Sequence, residues 1–376
     1  MSLELLKIHN GRNLKDFNLI PHKNFNIIYG ANGVGKTTIL ESVYLLLRSR
    51  TFRSNKFKSF INHNETTCTV FSKFSTIDNS EFKDSFTIGI SRSKDSTQPV
   101  LHLNSQKINK LSKITNLVVL GLITPDSFTL LDSGPGVRRK FIDWGVFHVE
   151  HSFLLDWRSY KKLLASRNNL LGRYCKNFKT TKLIPSNQKD LINCWNSQLI
   201  NFNNKLDKYR TNQINYISNF FKEYLTKFSN NLADNIKLIF FRGWSKDLSY
   251  ETYLKEKLNE DLLAGYTRYG THRSDLKITI NNNPAKDILS RGQKKIIIIC
   301  LILAQFRFLI EHETSRSQNI LLLDDIDSEL DTNNLEILFT ILKSLNCQIL
   351  ATTTNKNRYE FLKETEHKMF HVEHNE

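Results

Sequence analysis

Cysteine is sparse in this chain of 376 residues, and the five present (Cys68, Cys175, Cys194, Cys300 and Cys347) are scattered and odd in number. No Cys-x-x-Cys pair occurs, which argues against a zinc site or a disulfide framework and fits a reducing compartment such as the cytoplasm. Long apolar runs are also missing. The longest, Ile296 to Ala304, is far below the roughly 20 residues that span a bilayer. Met1-Ser2-Leu3-Glu4 offers no basic segment leading into an apolar core, so no secretory leader is expected. Glycine and proline are scarce, at 14 and 6, and acidic residues are outnumbered, with 37 Asp and Glu against 53 Lys and Arg.

What remains is a globular composition, 40% hydrophobic and 24% charged, long enough for one large domain or two ordinary ones. The formal net charge is +16 and the pI about 9.5. Such an excess favours a polyanionic partner, nucleic acid first and an anionic membrane surface second.

Patterning divides the chain in three. Leu3, Leu5 and Ile8 read as a strand before an Asn10-Gly11 turn, Phe25 to Tyr29 as a second strand ending at glycine, and 37–49 as a helix. Short strand-like runs alternate with polar turns from 66 to 124, including Phe86–Ile90 and Val100–Leu103. Helical spacing then takes over, at Phe153, Trp157, Tyr160 and Leu164, and again from Leu191 to Phe228. The second of these helices would run roughly 55 Å at 1.5 Å per residue. A strand at 235–241 and a helix at 250–263 follow, and strand–helix alternation resumes after 270. The expected fold is an α/β head built from 1–145 and 265–376, split by an inserted, mostly helical arm at 146–264.

Gly30-Ala31-Asn32-Gly33-Val34-Gly35-Lys36-Thr37-Thr38 contains the pattern G-x-x-x-x-G-K-[ST] between an apolar strand and a helix. Glycines let the backbone wrap so that successive N–H groups face phosphate oxygens, and the helix N-terminus adds its positive end. Lys36 is the expected partner of the β- and γ-phosphates of ATP, and the Thr37 hydroxyl an expected Mg²⁺ ligand. Ile320-Leu321-Leu322-Leu323-Asp324-Asp325 is an apolar run ending in two acids. Asp324 is placed to hold the Mg²⁺ shell and Asp325 to polarise an attacking water.

Leu289-Ser290-Arg291-Gly292-Gln293, directly before an apolar helix, resembles the signature motif of ABC-type ATPases. The resemblance implies that Ser290, Gly292 and Gln293 meet the γ-phosphate of ATP held by a second subunit; Ser290 reads equally as a helix N-cap. Ser328-Glu329-Leu330-Asp331 resembles the D-loop, and Gln348–Ala351 with Thr352–Thr354 the switch strand, without its histidine. The motif order, interrupted by an arm, is that of an ABC-type P-loop ATPase head of the SMC kind.

Within that superfamily the sequence resembles the RecF family. Ser133-Gly134-Pro135-Gly136-Val137-Arg138-Arg139-Lys140-Phe141-Ile142-Asp143, continued by Trp144–Phe147, is similar to its S-G-P-x-x-R-R-x-F-[LI]-D stretch. Leu163–Leu171 is similar to L-L-x-x-R-N-x-L-L, and Leu323–Asp331 also fits. Gly270–Leu276 resembles G-P-H-R-x-D-L with Thr271 where proline is usual. The insertion of about 120 residues suits the short arm of this family. The resemblance implies that Arg12 approaches the nucleotide phosphates. Arg138, Arg139, His272 and Arg273 are left open between DNA contact and structural hydrogen bonding. Asp325, a methylene shorter than the glutamate of many ABC ATPases, implies slow hydrolysis.

Taken together the resemblance implies an ATP-dependent homodimer that closes on DNA at gaps, single-/double-strand junctions or single-stranded segments. It implies weak DNA-stimulated ATPase activity and loading of RecA with RecO and RecR. Another short-arm SMC-like ATPase and a nucleotide-gated scaffold are the alternatives. Phe-His-Val-Glu-His occurs twice, at 147–151 and 370–374, without the spaced third ligand a metal site needs.

Overall fold

The computed structural model describes residues 2–54, 57–75, 85–96, 98–115, 117–312 and 318–373. In chain order the strands are β1 (Ser2–Gly11), β2 (Leu14–Leu19), β3 (Phe25–Tyr29), β4 (Thr67–Ser75), β5 (Ser85–Ser93), β6 (Val100–Leu103), β7 (Gln106–Ile108), β8 (Val118–Ile123), β9 (Ile236–Phe241), β10 (Asp275–Ile280), β11 (Asn283–Pro284), β12 (Gln318–Leu323), β13 (Gln348–Thr353) and β14 (His367–His371). The longer helices are α1 (Lys36–Arg48), α2 (Pro135–Val149), α3 (Phe153–Thr181), α4 (Ser186–Phe228), α5 (Tyr250–Glu256), α6 (Leu258–Ala264), α7 (Arg291–His312) and α8 (Thr332–Ser344). Packing divides the chain into two compact units, Met1–Phe128 with Glu313–Glu376, and Thr129–His312.

The first unit holds two sheets. One has the order β2-β1-β4-β5-β6-β7 and the other β14-β3-β13-β12-β8. All neighbours in the second sheet run parallel, so the C-terminal ends of β3, β8, β12 and β13 share one edge. Helix α1 packs against both sheets. That explains its sequence: Ile39, Leu40, Val43, Leu45, Leu46 and Leu47 cover well over half of the helix surface and all are buried, a wider face than the stripe a helix needs against one layer. The β1–β2 turn lies two residues later than the Asn10-Gly11 signal. Gly11 pairs with Leu14, and Arg12 takes the left-handed φ of 51°. Gly11 is needed for packing, since a Cβ there would stand 2.8 Å from Ile8 and 3.3 Å from the Phe60 ring.

The second unit is built on α4, whose 43 residues span about 65 Å. It packs against α2, α3, α5 and α7, and a three-stranded sheet β11-β10-β9 joins it. This division differs from the boundaries at 145/146 and 264/265 expected from patterning. Helices α2 and α7 both belong with α4 because their faces close on it: Gln305 of α7 donates to the Phe141 carbonyl of α2. Gly145 of α2 leaves room for Gln213 and Gln305, whose amides a Cβ would meet at 2.1 and 2.6 Å. The helix expected at 250–263 is two, α5 and α6, broken at Lys257.

Three of the four stretches that resemble the RecF family, at 133–143, 163–171 and 270–276, meet inside this unit. Arg138 clamps Asp275 with two hydrogen bonds of 2.8 and 2.9 Å, and Arg139 donates to the Ser274 carbonyl. Arg210, fully buried, grips Asp143 in the same two-pronged way and donates to Thr271 and Ser274. Arg167, also fully buried, is held by Asp261, Asn196 and Thr267. His272 accepts from or donates to Tyr160 at 2.8 Å, and its other nitrogen lies 3.1 Å from the Thr267 carbonyl. Burial pushes this imidazole down to about 4. A neutral ring with Nε2–H donating to Thr267 and Nδ1 accepting from Tyr160 satisfies both contacts. Arg138, Arg139 and His272 are thus engaged within the unit, whereas Arg273 is exposed, beside the Tyr266 ring.

Candidate functional site

In open parallel sheets the crevice beyond the strand C-termini is where ligands sit. Here it is a cavity of ≈ 490 Å³ within the first unit, lined by Asn32, Gly33, Gly35, Lys36, Thr37, Thr38, Asp324, Asp325, Thr352 and Arg12 among others. That is a size suited to a nucleotide-scale ligand.

Its floor is the loop between β3 and α1. Gly30, Gly33 and Gly35 have φ of 156°, 85° and 112°, values that side chains resist. At Gly35 a Cβ would also meet Leu14 at 2.9 Å. Asn13 donates to the Gly33 carbonyl at 2.7 Å and braces the loop from the β1–β2 turn. The Lys36 ammonium donates to the carbonyls of Gly30 and Ala31 at 2.8 and 2.7 Å. Burial lowers its pKa, while Asp325, Asp324 and Asp327 pull it back up.

The wall is the end of β12. Thr37 Oγ1 donates to Asp324 Oδ1 at 2.9 Å, and Thr352 Oγ1 donates to the same oxygen at 2.9 Å. Thr352 also accepts the Asp325 N–H at 2.9 Å. One hydroxyl on β13 therefore fixes both acids, and Asp325 is held in the left-handed region at φ 53°. Burial raises the Asp324 carboxyl, against the two threonine hydrogen bonds. Two oxygens 2.9 Å apart, as Thr37 Oγ1 and Asp324 Oδ1 are, match the edge of an octahedron with arms of about 2.0–2.1 Å, the geometry Mg²⁺ demands.

Arg12 lines the cavity and pairs with Glu41 at 2.7 Å, a carboxylate with no exposed side-chain surface. Burial raises Glu41 and lowers Arg12, each partly offset by the other. Arg53, Thr124 and Asp126 also line the cavity, and none carried a motif. The one available signal was Glu41, the only acid of α1 and set among its apolar residues.

Ser290 and Gln293 cap α7 reciprocally. The Ser290 N–H donates to Gln293 Oε1 at 3.0 Å and the Gln293 N–H to Ser290 Oγ at 3.3 Å, a capping box. Gly292 lies between them, exposed, and a Cβ there would meet nothing within 4 Å. Further along, Asp331 caps α8 through the Asn334 N–H, and Asp327 accepts from Thr353 at 2.6 Å. In the repeated histidine motif, His148 Nδ1 bonds the Trp144 carbonyl and His371 stacks on Tyr29; His374 lies outside the described residues. Among the described residues no helix is long and apolar enough to cross a membrane.

The RecF/RecN/SMC N terminal domain family matches residues 2–376. A DNA replication and repair protein RecF of Pseudomonas entomophila (strain L48) is 35% identical over 380 residues, covering 99% of this chain and 97% of that protein. The chain belongs to the RecF family. Its counterpart in Pseudomonas aeruginosa (strain LESB58) is 34% identical, over 100% of this chain and 96% of its own length. Among solved structures, the recombination mediator protein RecF with ATPrS, from the RecFOR pathway, matches with a TM-score of 0.74 and 26% identity over 99% of this chain and 96% of that one. An Smc head bound to the C-winged helix domain of ScpA matches with a TM-score of 0.56 and 16% identity, over 99% and 94%; it shares the fold.

Proposed function

We propose that this chain is an ATP-switched DNA-binding protein of replication and recombinational repair, acting as a homodimer. The observation that carries the proposal is the cavity in which Lys36, Thr37, Asp324 and Asp325 converge on a glycine-cradled loop. Backbone N–H groups of Gly30–Thr38 and the N-terminus of α1 receive the ATP phosphates, with Arg12 at the side. Thr37 and Asp324 hold Mg²⁺, which supplies charge neutralisation at the phosphates. Lys36 turns from its two carbonyls to the β- and γ-phosphates. Asp325, pinned by Thr352, orients and deprotonates the attacking water. Its short side chain and the absence of a switch histidine make hydrolysis slow, suited to a switch and weakly stimulated by DNA.

Gly292 supports the second half of the proposal. Even in the first turn a helical glycine costs stability, up to about 0.5–1 kcal/mol relative to alanine at a helix interior, and nothing inside the fold needs it. Close approach of an anion held by a second subunit does, with Ser290 and Gln293 presenting the helix N-terminus. In functional terms the head comprises 1–145 and 265–376, and the arm 146–264. The proposal extends to closure on single-strand gaps, release on hydrolysis and cooperation with RecO and RecR in loading RecA in the cytoplasm, and family membership supports it. Sedimentation of the full chain with ATP and Mg²⁺ tests the switch: wild type shifts from monomer to dimer and Lys36→Met stays monomeric. A wild type that ignores ATP contradicts it.

A further inference from the structure

The net charge of +16 is unevenly placed. Residues 129–312 carry 30 Lys and Arg against 16 Asp and Glu, so +14 of it belongs to the second unit. Within that unit α3 is the extreme case. Its buried side, with Phe153, Tyr160, Leu163, Leu171 and Phe178, faces the fold. Its outer side carries Arg158, Lys161, Lys162, Arg173, Lys176 and Lys179, all exposed. At about 100° per residue these six fall within an arc of about 120°. The one acid of the helix, Asp156, is buried and accepts from Tyr209.

Some lysines elsewhere in this unit have acidic partners: Lys255 pairs with Glu251, Lys257 with Glu260, Lys227 with Glu223 and Lys222 with Asp234. Others, such as Lys140, Lys208 and Lys246, are exposed and form no ion pair among the described residues; what sets α3 apart is the clustering of six on one face. The six cations of α3 form no ion pair among the described residues. A solvated helix face normally interleaves both signs; this one repels itself, so its charge is balanced by something outside the chain. The six stand in two triplets about 23 Å apart along the axis. Between them the same face shows Ala165 and Asn169, small, neutral and exposed.

We infer that the outer face of α3 is a nucleic-acid backbone surface, in which the triplets Arg158-Lys161-Lys162 and Arg173-Lys176-Lys179 each grip phosphates while the small residues between them let the sugar–phosphate chain lie close. The inference rests on the DNA-binding function proposed above and adds its location. Phosphate contacts of this kind position the duplex without reading sequence. An anionic membrane fits less well, because an interfacial helix needs its apolar side free to enter the lipid, and here that side is buried in the protein.

The test uses the full chain with ATP and Mg²⁺ and a labelled gapped duplex, over roughly 0.05–0.3 M salt. Three variants carry glutamine in the first triplet, the second, or both; glutamine keeps helix propensity close to that of lysine and arginine. Lys255→Gln/Lys257→Gln serves as the control for ion-paired lysines. Each triple variant is expected to flatten the slope of log affinity against log salt by about 3, and the sixfold variant by about 5, with affinity at 0.1 M salt falling roughly 10²-fold or more per triplet. ATP-dependent dimerisation stays as in wild type. Wild-type slope and affinity in the sixfold variant, with wild-type binding still ATP-dependent, would overturn the location and leave the clamp intact. A wild type that binds no DNA would overturn both. Loss of binding to phosphatidylserine vesicles, with DNA binding unchanged, would hand the face to a membrane and overturn it too.

Discussion

Replacing Gly292 by glutamate separates folding from function, because the two are expected to move in opposite directions. The site is exposed, one residue inside the capping box of α7, and a side chain there meets nothing within 4 Å. Removing this first-turn glycine gains at most about 0.5–1 kcal/mol, and an acid in the first turn gains about 0.3–1 kcal/mol more from the helix dipole. The unit's melting temperature should therefore rise, at roughly 2–4 °C per kcal/mol for a unit of this size. The same carboxylate stands where a partner-bound γ-phosphate must arrive. Unit charges about 4 Å apart at an effective dielectric of about 20 repel by about 4 kcal/mol, which weakens closure about 10³-fold at 1.4 kcal/mol per tenfold. Thermal unfolding followed by circular dichroism, alongside sedimentation with ATP and Mg²⁺, reads both effects. A Gly292→Glu variant that is stabilised yet dimerises like wild type would refute the placement of this helix end on nucleotide.

Three further outcomes follow from the geometry. Asp143→Ala leaves Arg210 buried without its carboxylate and should destabilise by about 3–5 kcal/mol, read as a lower denaturation midpoint; an unchanged midpoint would show the pair to be dispensable. His272 has a folded pKa of about 4 against an ordinary 6.5. The unfolded chain thus binds the proton first, so the stability it protects is complete above 6.5, declines as pH falls through the interval, and is fully lost below 4, in total about 3 kcal/mol. His272→Gln should abolish that part of the pH dependence of the unfolding midpoint. Asp325→Asn should keep ATP binding while slowing single-turnover hydrolysis about 10²-fold or more, and an unaffected rate would remove Asp325 from the chemistry.

The residues that met around the cavity were legible where chemistry dictates spacing. A loop that wraps phosphate needs glycines at fixed positions, and an acid at a strand end follows an apolar run, so Gly30–Thr38 and Asp324 could be read from order alone. Thr352 could be placed on its strand but not given its double hydrogen bond, which depends on β13 pairing with β12. Arg53 reaches the cavity, and Glu41 reaches the Arg12 that lines it, through packing between distant segments, and no local pattern records it. The packing division at 128/129 and 312/313 was not legible for a related reason. Apolar spacing shows that α2 and α7 are helices, but their close packing depends on Gly145, which leaves room for Gln213 and Gln305, and on the Gln305 hydrogen bond to Phe141. The arginines at 138 and 139 illustrate the limit from the other side: a basic pair after a Gly-Pro turn suggests a surface contact, and only Asp275 and the Ser274 carbonyl show that both point inward.

The measurement that bears most directly on the whole account is DNA binding by wild type and Lys36→Met, with and without ATP and Mg²⁺, across a salt series. An ATP-closed clamp predicts tight, steeply salt-dependent binding by wild type with ATP, weak binding without it, and weak binding by Lys36→Met in either case. Equal binding in all four conditions would contradict it, leaving the basic charge to explain DNA affinity and the ATP site to regulate something else.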